Sequence, residues 1–264
     1  AARNHHRHMK RKLNASETAA VLTAAAQSDE PPVTFDASHY GALGLNGRFE
    51  SSDAIGFFAG GEDGGGGMFE NAETRDIAGA TGPLLSVFEE HGLIKGSTVL
   101  DVGAGTGLML KPLSSAVGPD GKVLAVDLSA RFVAYMRRRA QKHGLANVRV
   151  SRSSARSTEL PSSSRFRADL ALLLDVYHHV EYPQTFMRSV RAALREGGRL
   201  VLVDFYRDPK KMVTHEGSWA LAHIRADKEV FVAEIVKAGF RMVAEPEIDA
   251  LKENYVVIFE RTAG

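Results

Sequence analysis

Val99-Leu100-Asp101-Val102-Gly103-Ala104-Gly105-Thr106-Gly107-Leu108 joins an apolar run, an acid and three glycines at alternate positions. Thr98 to Val102 is β-branched and apolar, the composition of a short strand buried on both faces. Asp101 stands near its carboxyl end. Gly103, Gly105 and Gly107 follow; without Cβ atoms, such a backbone turns tightly and lets a ligand lie directly against it. A helix is predicted over Leu108–Val117, and its first N–H groups point into the same crevice. Open α/β sheets bind ligands at the carboxyl ends of their strands, where the strand order reverses. The turn is therefore the predicted floor of a ligand site.

Its spacing, G-x-G-x-G, differs from the G-x-G-x-x-G that seats a pyrophosphate on a helix N-terminus. A carboxylate at Asp101 repels a pyrophosphate and suits a cationic ligand. A glycine loop that binds nothing is the bland alternative. A second strand, Lys122–Val126, ends on Asp127, whose carboxylate can accept both hydrogen bonds of a ribose diol. Asp127 and Ser129 also suit the start of the next helix, and the two roles are compatible.

Downstream, helices are predicted over Ala130–His143 and Pro183–Arg195, the second stopped by Gly197-Gly198. A further helix, Lys228–Ala238, is capped by Asp227. Strands are predicted over Val148–Ser151, Asp169–Leu174 and Arg199–Phe205. The last two strands, Arg241–Glu245 and Tyr255–Glu260, are joined too closely for a helical crossover, so they pair antiparallel. Arg137, Arg138 and Arg139 fan around a helix and read as a solvated face. Lys210–Arg225, with Trp219 and His223, is predicted to be an irregular cover, and Asp204, Tyr206 and Arg207 stand at the end of the fifth strand.

The other chemically informative run is Asp175-Val176-Tyr177-His178-His179, at the carboxyl end of the fourth strand. It sets a carboxylate, a phenol and two imidazoles beside the glycine turn, as candidates to face a reacting centre. The histidines are adjacent and lack partner ligands at a recognisable spacing, so no metal is expected there.

Composition narrows the classes. Lys plus Arg number 33 against 32 Asp plus Glu, a net charge of +1, so no global field recruits nucleic acid or a membrane surface. With no cysteine, disulfides and thiol nucleophiles are excluded. No apolar run is long enough to span a bilayer, and a cytoplasmic location is expected, with a removed targeting peptide left open.

The chain divides in expectation at residue 67. Residues 1–67 form an extension: a basic, His-rich tail over Ala1–Lys12, a short helix over Glu17–Ala26, and an aromatic segment with Phe35, Tyr40, Phe49, Phe57 and Phe58. That segment is expected to pack on the main domain as a lid. Gly60–Gly67 reads as a flexible linker. Residues 68–264 form the main domain, opening with a helical stretch over Thr74–His91 that Gly79, Gly82 and Pro83 interrupt.

The glycine turn resembles the first motif of the class I S-adenosylmethionine-dependent methyltransferases, [DE]-x-G-x-G-x-G. Val123–Asp127, Leu172–His179 and Leu194-Arg195-Glu196-Gly197-Gly198-Arg199-Leu200 are similar to further elements of that family. Its small-molecule members of the quinone-biosynthesis and type 11/25 kind also share an opening matched by Phe69, Glu70, Arg75 and Asp76. The resemblance covers roughly residues 68–260. It implies an α/β, Rossmann-like, doubly wound sheet of seven strands with the last antiparallel. It implies S-adenosyl-L-methionine as cofactor, held by Asp101, Gly103, Ala104, Gly105, Thr106, Gly107, Asp127, Leu128, Ser154, Ala155 and Asp175. It implies methyl transfer to a small molecule, with His178, His179 and Tyr177 as catalytic candidates. A protein or RNA acceptor, or a binding module without catalysis, are the alternatives. The family often has an acid in the adenine loop where this chain has Ser153 and Ser154.

Overall fold

The computed structural model describes residues 30–33, 35, 46–61, 64, 66–161 and 167–263. The basic tail, the helix expected over Glu17–Ala26, and Tyr40 lie outside them. Contacts divide the chain after Pro31, and Pro32–Gly264 is one compact unit. Its elements in order are α1 (Ala54–Ala59), α2 (Asp76–Gly79), α3 (Thr81–Glu90), β1 (Thr98–Val102), α4 (Leu110–Val117), β2 (Lys122–Asp127), α5 (Ala130–Lys142), β3 (Val148–Arg152), β4 (Ala168–Leu174), α6 (Pro183–Ala193), β5 (Leu194–Phe205), α7 (Gly217–His223), α8 (Lys228–Lys237), β6 (Phe240–Ala244) and β7 (Asn254–Arg261).

The strands form a seven-stranded sheet in the order β3-β2-β1-β4-β5-β7-β6. β1 pairs parallel with both β2 and β4, while β7 runs antiparallel to β5 and β6. The chain leaves β1 toward β2 and β3, then returns across it to β4. The reversal between β1 and β4 opens a crevice at their carboxyl ends.

Alternation along the strands divides the core. Leu100, Val102, Ala171 and Leu173 pack with Phe186 and Val190 of α6 and with Phe231 and Ile235 of α8. Val99, Leu170 and Leu172 pack on the other face with Leu84 and Phe88 of α3, Leu113 of α4 and Met136 of α5. Apolar side chains thus cover both faces of β1 and β4, as parallel strands require.

Several local expectations need correction. The stretch over Thr74–His91 is two helices, α2 and α3, meeting at Ala80 between Gly79 and the Gly82-Pro83 pair. α6 ends at Ala193, because Leu194 already pairs with Ala168. The register then shifts before Leu170 pairs with Arg199, so Gly197-Gly198 lie in an irregularity inside β5 and do not stop the helix. The cover over Lys210–Arg225 contains a short helix, α7. The side chain of Asp227 makes no cap, whereas Ser129 accepts from the Phe132 N–H and caps α5.

Ahead of residue 68, Phe49 and Phe58 pack with Phe69 and Phe132, the Phe58–Phe69 centroids 4.5 Å apart and the Phe49–Phe132 centroids 5.8 Å apart. The Met68 and Phe69 N–H groups donate to the carbonyls of Phe57 and Phe58. Backbone meets backbone so closely here that a Cβ on Gly67 would lie 2.3 Å from Gly60 N. No helix among the described residues is long and apolar enough to cross a membrane.

Gly103 has φ +65°, and an added Cβ would lie 2.2 Å from Val176 Cγ2, just beyond β4. Gly103→Ala is expected to destabilise the chain by more than about 1 kcal/mol. Gly56→Ala, on an exposed helical turn with open space around it, should stabilise by about 0.5–1 kcal/mol. Denaturant unfolding of the two variants checks both signs.

Candidate active site

A cavity lies over the carboxyl ends of β1, β2 and β4. Its floor is the turn after β1, where Asp101, Gly103, Ala104, Gly105 and Thr106 line it. Gly107 does not; its φ of +81° bends the backbone against Leu110. A Cβ on Gly105 would approach the Phe69 ring to 3.3 Å. The floor is therefore main chain, as a ligand seated against it requires.

Asp127, at the end of β2, has both oxygens on backbone: Gly105 N–H donates to Oδ2 and Ser129 N–H to Oδ1, each at 2.8 Å. The carboxylate thus ties the glycine turn to the start of α5. Each oxygen keeps a second lone pair for a diol. Asp101 is 3% exposed and Asp127 8%. Burial pushes the Asp101 carboxyl up to about 7, with the Asp127 carboxylate adding to the rise and Arg75 opposing it. Burial also pushes Asp127 up to about 6, against the hydrogen bonds from Ser129 and Gly105. Two buried acids at one turn make a site that a cation relieves and a diphosphate worsens.

Asp175 closes the other side of the crevice. Its φ of +54° is a left-handed conformation, costly for a non-glycine residue. Arg75 Nε donates to its Oδ2 at 2.6 Å, Asn254 Nδ2 donates to Oδ1, and Arg75 Nη2 reaches the Leu174 carbonyl at 3.1 Å. Burial raises its carboxyl to about 6 despite Arg75. Arg139, read from sequence as solvated, instead pairs with Glu70 and donates to the Thr106 carbonyl at 3.1 Å. Leu128, Ser153, Ser154 and Ala155 form the cavity wall after β2 and β3. The Ser154 hydroxyl is engaged by Glu159 at 2.9 Å.

The far end of the cavity is aromatic and imidazole-rich. His178 and His179 line it, but Tyr177 does not: it is fully buried in the core layer of α6 and α8 with its ring 5.2 Å from Phe231. Its placement among the catalytic candidates is corrected on that ground; the turn at Tyr177–His179 points successive side chains in different directions. His178 Nδ1 lies 2.7 Å from Asp204 Oδ1, which also accepts the Phe205 N–H, and Asp204 is fully buried. An ionised carboxylate can only accept, so the proton sits on Nδ1 and the lone pair on Nε2. His223, brought in by α7, places its Nε2 at 3.2 Å from that of His178. His215, Trp219 and His223 form a continuous stack, with centroids 3.9 and 4.3 Å apart. Buried Glu253 accepts from His215 Nδ1 at 2.7 Å and Thr214 Oγ1 at 2.8 Å and anchors the stack. From the segment ahead of residue 68, Phe49 meets His179 edge-on at 5.2 Å.

The residues present fit an S-adenosylmethionine-like cation. Glycines at 103 and 105 leave little room for side chains on the floor, the buried acids Asp101 and Asp127 stand together beside it, and Thr106 Oγ1 is buried there with no hydrogen-bond partner. Such an orphaned hydroxyl calls for a polar ligand atom.

Comparison with known proteins agrees. A family described as "Methyltransferase domain" matches residues 93–261. The chain belongs to this methyltransferase-domain family, on the class I S-adenosylmethionine-dependent fold. It is 29% identical over 127 residues to the ubiquinone/menaquinone biosynthesis C-methyltransferase UbiE of Hahella chejuensis, covering 48% of this chain and 50% of that protein. The match to UbiE of Pseudomonas savastanoi is 28% over the same length, 48% of each. The chain thus spans about half the length of the curated relatives it matches. Among solved structures, a SAM-dependent methyltransferase from Aquifex aeolicus superposes with TM-score 0.59 at 22% identity, over 86% of this chain and 99% of that one. The [4+2]-cyclase SpnF superposes with TM-score 0.58 at 17% identity, over 74% and 86%. These likenesses concern the fold.

Sequence reasoning missed Asn46, Phe49 and His215 as lining residues, and the hold of Arg75 and Asn254 on Asp175. Phe49 and Arg75 carried a signal, in the aromatic segment and the shared opening; Asn254 and Asn46 carried none.

The raised acids set a pH dependence. Unfolded, these carboxyls ionise near 4. Folded, Asp101 and Asp127 hold their protons to about 7 and 6, so the native chain binds more protons across that window. Stability from these groups therefore falls as pH rises from about 4 to 7. Asp101→Asn should gain stability relative to the parent between pH 4.5 and 7.5. Denaturant midpoints at both pH values test this, and a difference that stays flat contradicts the raised value.

Proposed function

We propose that this chain transfers the methyl group of S-adenosyl-L-methionine to a small-molecule acceptor, releasing S-adenosylhomocysteine. The observation that carries this is the pair of buried acids, Asp101 and Asp127, flanking the glycine turn. When bound, the cofactor supplies an electrophilic methyl on a sulfonium. Asp127 would accept from the ribose hydroxyls. Asp101 would balance the charged amino-acid end, with Asp175 held toward it by Arg75 and Asn254. Ser153, Ser154 and Ala155 would border the adenine, Ala155 offering its amide. The turn amides and the Thr106 hydroxyl complete the floor.

The chain's own work is positioning, since the methyl is already activated. The stack of His215, Trp219 and His223 supports a planar acceptor laid against it. The names of the UbiE relatives support a ring related to quinone precursors. A hydroxyl or amine acceptor, or a ring carbon made nucleophilic by its phenol, must lose a proton. His178, oriented by Asp204, is the imidazole set to take it. The described stretch 46–59 acts as the cover that excludes water, with Phe49 and Asn46 reaching His179. The second reading is a binding module on the same fold, since fold does not dictate chemistry.

Calorimetric titration with S-adenosylhomocysteine tests the cofactor site. Asp127→Ala is expected to weaken binding by about 1–3 kcal/mol, the loss of charge-assisted hydrogen bonds. His178→Ala should bind as before while turnover of an accepted substrate falls by about 10²-fold or more. Unchanged affinity in the first variant, or full turnover in the second, would remove the corresponding role.

A further inference from the structure

The geometry points to a divalent-metal site formed by His178, His179 and His223 at the acceptor end of the cavity. One ring nitrogen of each lies within 4.8 Å of the others. The three arrive from two separate places: the turn after β4 carries His178 and His179, and the end of α7 carries His223. The sequence separation hides this cluster, which is why the adjacent pair read alone gave no metal.

The hydrogen bonds behind two of these rings are those of metal ligands. A ligating histidine usually donates its other ring N–H to a carboxylate or carbonyl oxygen, which fixes the tautomer and raises the basicity of the ligating nitrogen. His178 Nδ1 donates to buried Asp204 at 2.7 Å. For His179, Asn46 Nδ2 donates to the His179 carbonyl at 3.3 Å and to Glu181 Oε1 at 3.4 Å, which fixes the amide with Oδ1 outward. That Oδ1 is 2.7 Å from His179 Nδ1, so Nδ1 carries the proton and Nε2 the lone pair.

The separation between rings also fits. Two nitrogens on a tetrahedral zinc, each about 2.0–2.1 Å from it, sit roughly 3.3 Å apart. The Nε2 atoms of His178 and His223 are 3.2 Å apart. Trp219, stacked at 4.3 Å, holds the plane of His223. Three imidazoles select borderline cations such as Zn²⁺ or Co²⁺ over Mg²⁺ or Ca²⁺. All three residues line the cavity, so the remaining coordination position faces it. An acceptor oxygen would complete that position and, bound there, would lose its proton more readily, His178 Nε2 then holding the metal in place of acting as base; this last assignment rests on the methyltransferase reading, whereas the metal site itself does not.

The test uses the full chain after treatment with a chelator. Because His5, His6 and His8 offer a competing zinc ligand set, the parent for comparison carries His5→Ala, His6→Ala and His8→Ala. Titration with ZnSO₄, and the visible absorption of the Co²⁺ form, are read on this parent and on further variants in its background. The parent is expected to bind one equivalent of zinc, with a cobalt spectrum of low coordination number and nitrogen ligands. His223→Ala should weaken zinc by about 100-fold or more, and Asp204→Asn by about tenfold, as for a lost outer partner. His179→Ala, at a less buried position, gives a second ligand test should His223→Ala fail to fold by circular dichroism. Failure of the parent to bind zinc, or unchanged affinity in a folded His179→Ala or His223→Ala chain, overturns the site. S-adenosylhomocysteine is titrated into the same samples: binding it without zinc defeats the metal site alone, and binding zinc without it defeats the methyltransferase reading alone.

Discussion

The carboxylate of Asp127 accepts from the Gly105 N–H in the turn after β1 and from the Ser129 N–H at the start of α5. Through that one group, two βα connections on adjacent parallel strands are held in a fixed relation. Val126 extends the tie, its carbonyl accepting from Gly103 and Ala104. The cavity floor is therefore rigid although it has almost no side chains. Its backbone is set by the sheet before any ligand arrives, which lowers the cost of binding.

This arrangement concentrates acid. Asp101, Asp127 and Asp175 stand at the ends of three neighbouring strands, all buried or nearly so, with Arg75 the cation placed against them. Burial of like charges is unfavourable, and the raised ionisation of all three measures that cost. Natural chains keep such strain where function needs it. A cationic ligand would offset it. At the other end of the cavity the chemistry changes to imidazole and aromatic rings, anchored from behind by Asp204 and Glu253. The cavity thus joins an acid-lined half to a half of imidazole and aromatic rings.

Much of this was readable from local signals. The strand before the glycine turn, the acid ending the second strand and the histidine pair after the fourth each sit within a few residues of a period or a break, and the structure places each at the crevice. Other features depend on residues distant in sequence. The partnership of His178 with Asp204 and His223 spans 26 and 45 positions, and no spacing rule reaches that far. Tyr177 shares a run with His178, yet a single tight turn sends it into the core. At Gly197-Gly198 the glycines marked a helix stop, but pairing of Leu194 with Ala168 won and turned the pair into a strand irregularity. Tertiary pairing overrode local propensity in that case.

The central claim is that the turn after β1 seats an S-adenosyl nucleoside and no diphosphate. Amide hydrogen exchange, followed with S-adenosylhomocysteine and separately with NADH, tests it most directly. The account predicts new protection in peptides covering 101–107 and 127–129 with S-adenosylhomocysteine, and none there with NADH. Protection of those peptides by NADH, or protection by S-adenosylhomocysteine confined to other parts of the chain, would contradict it.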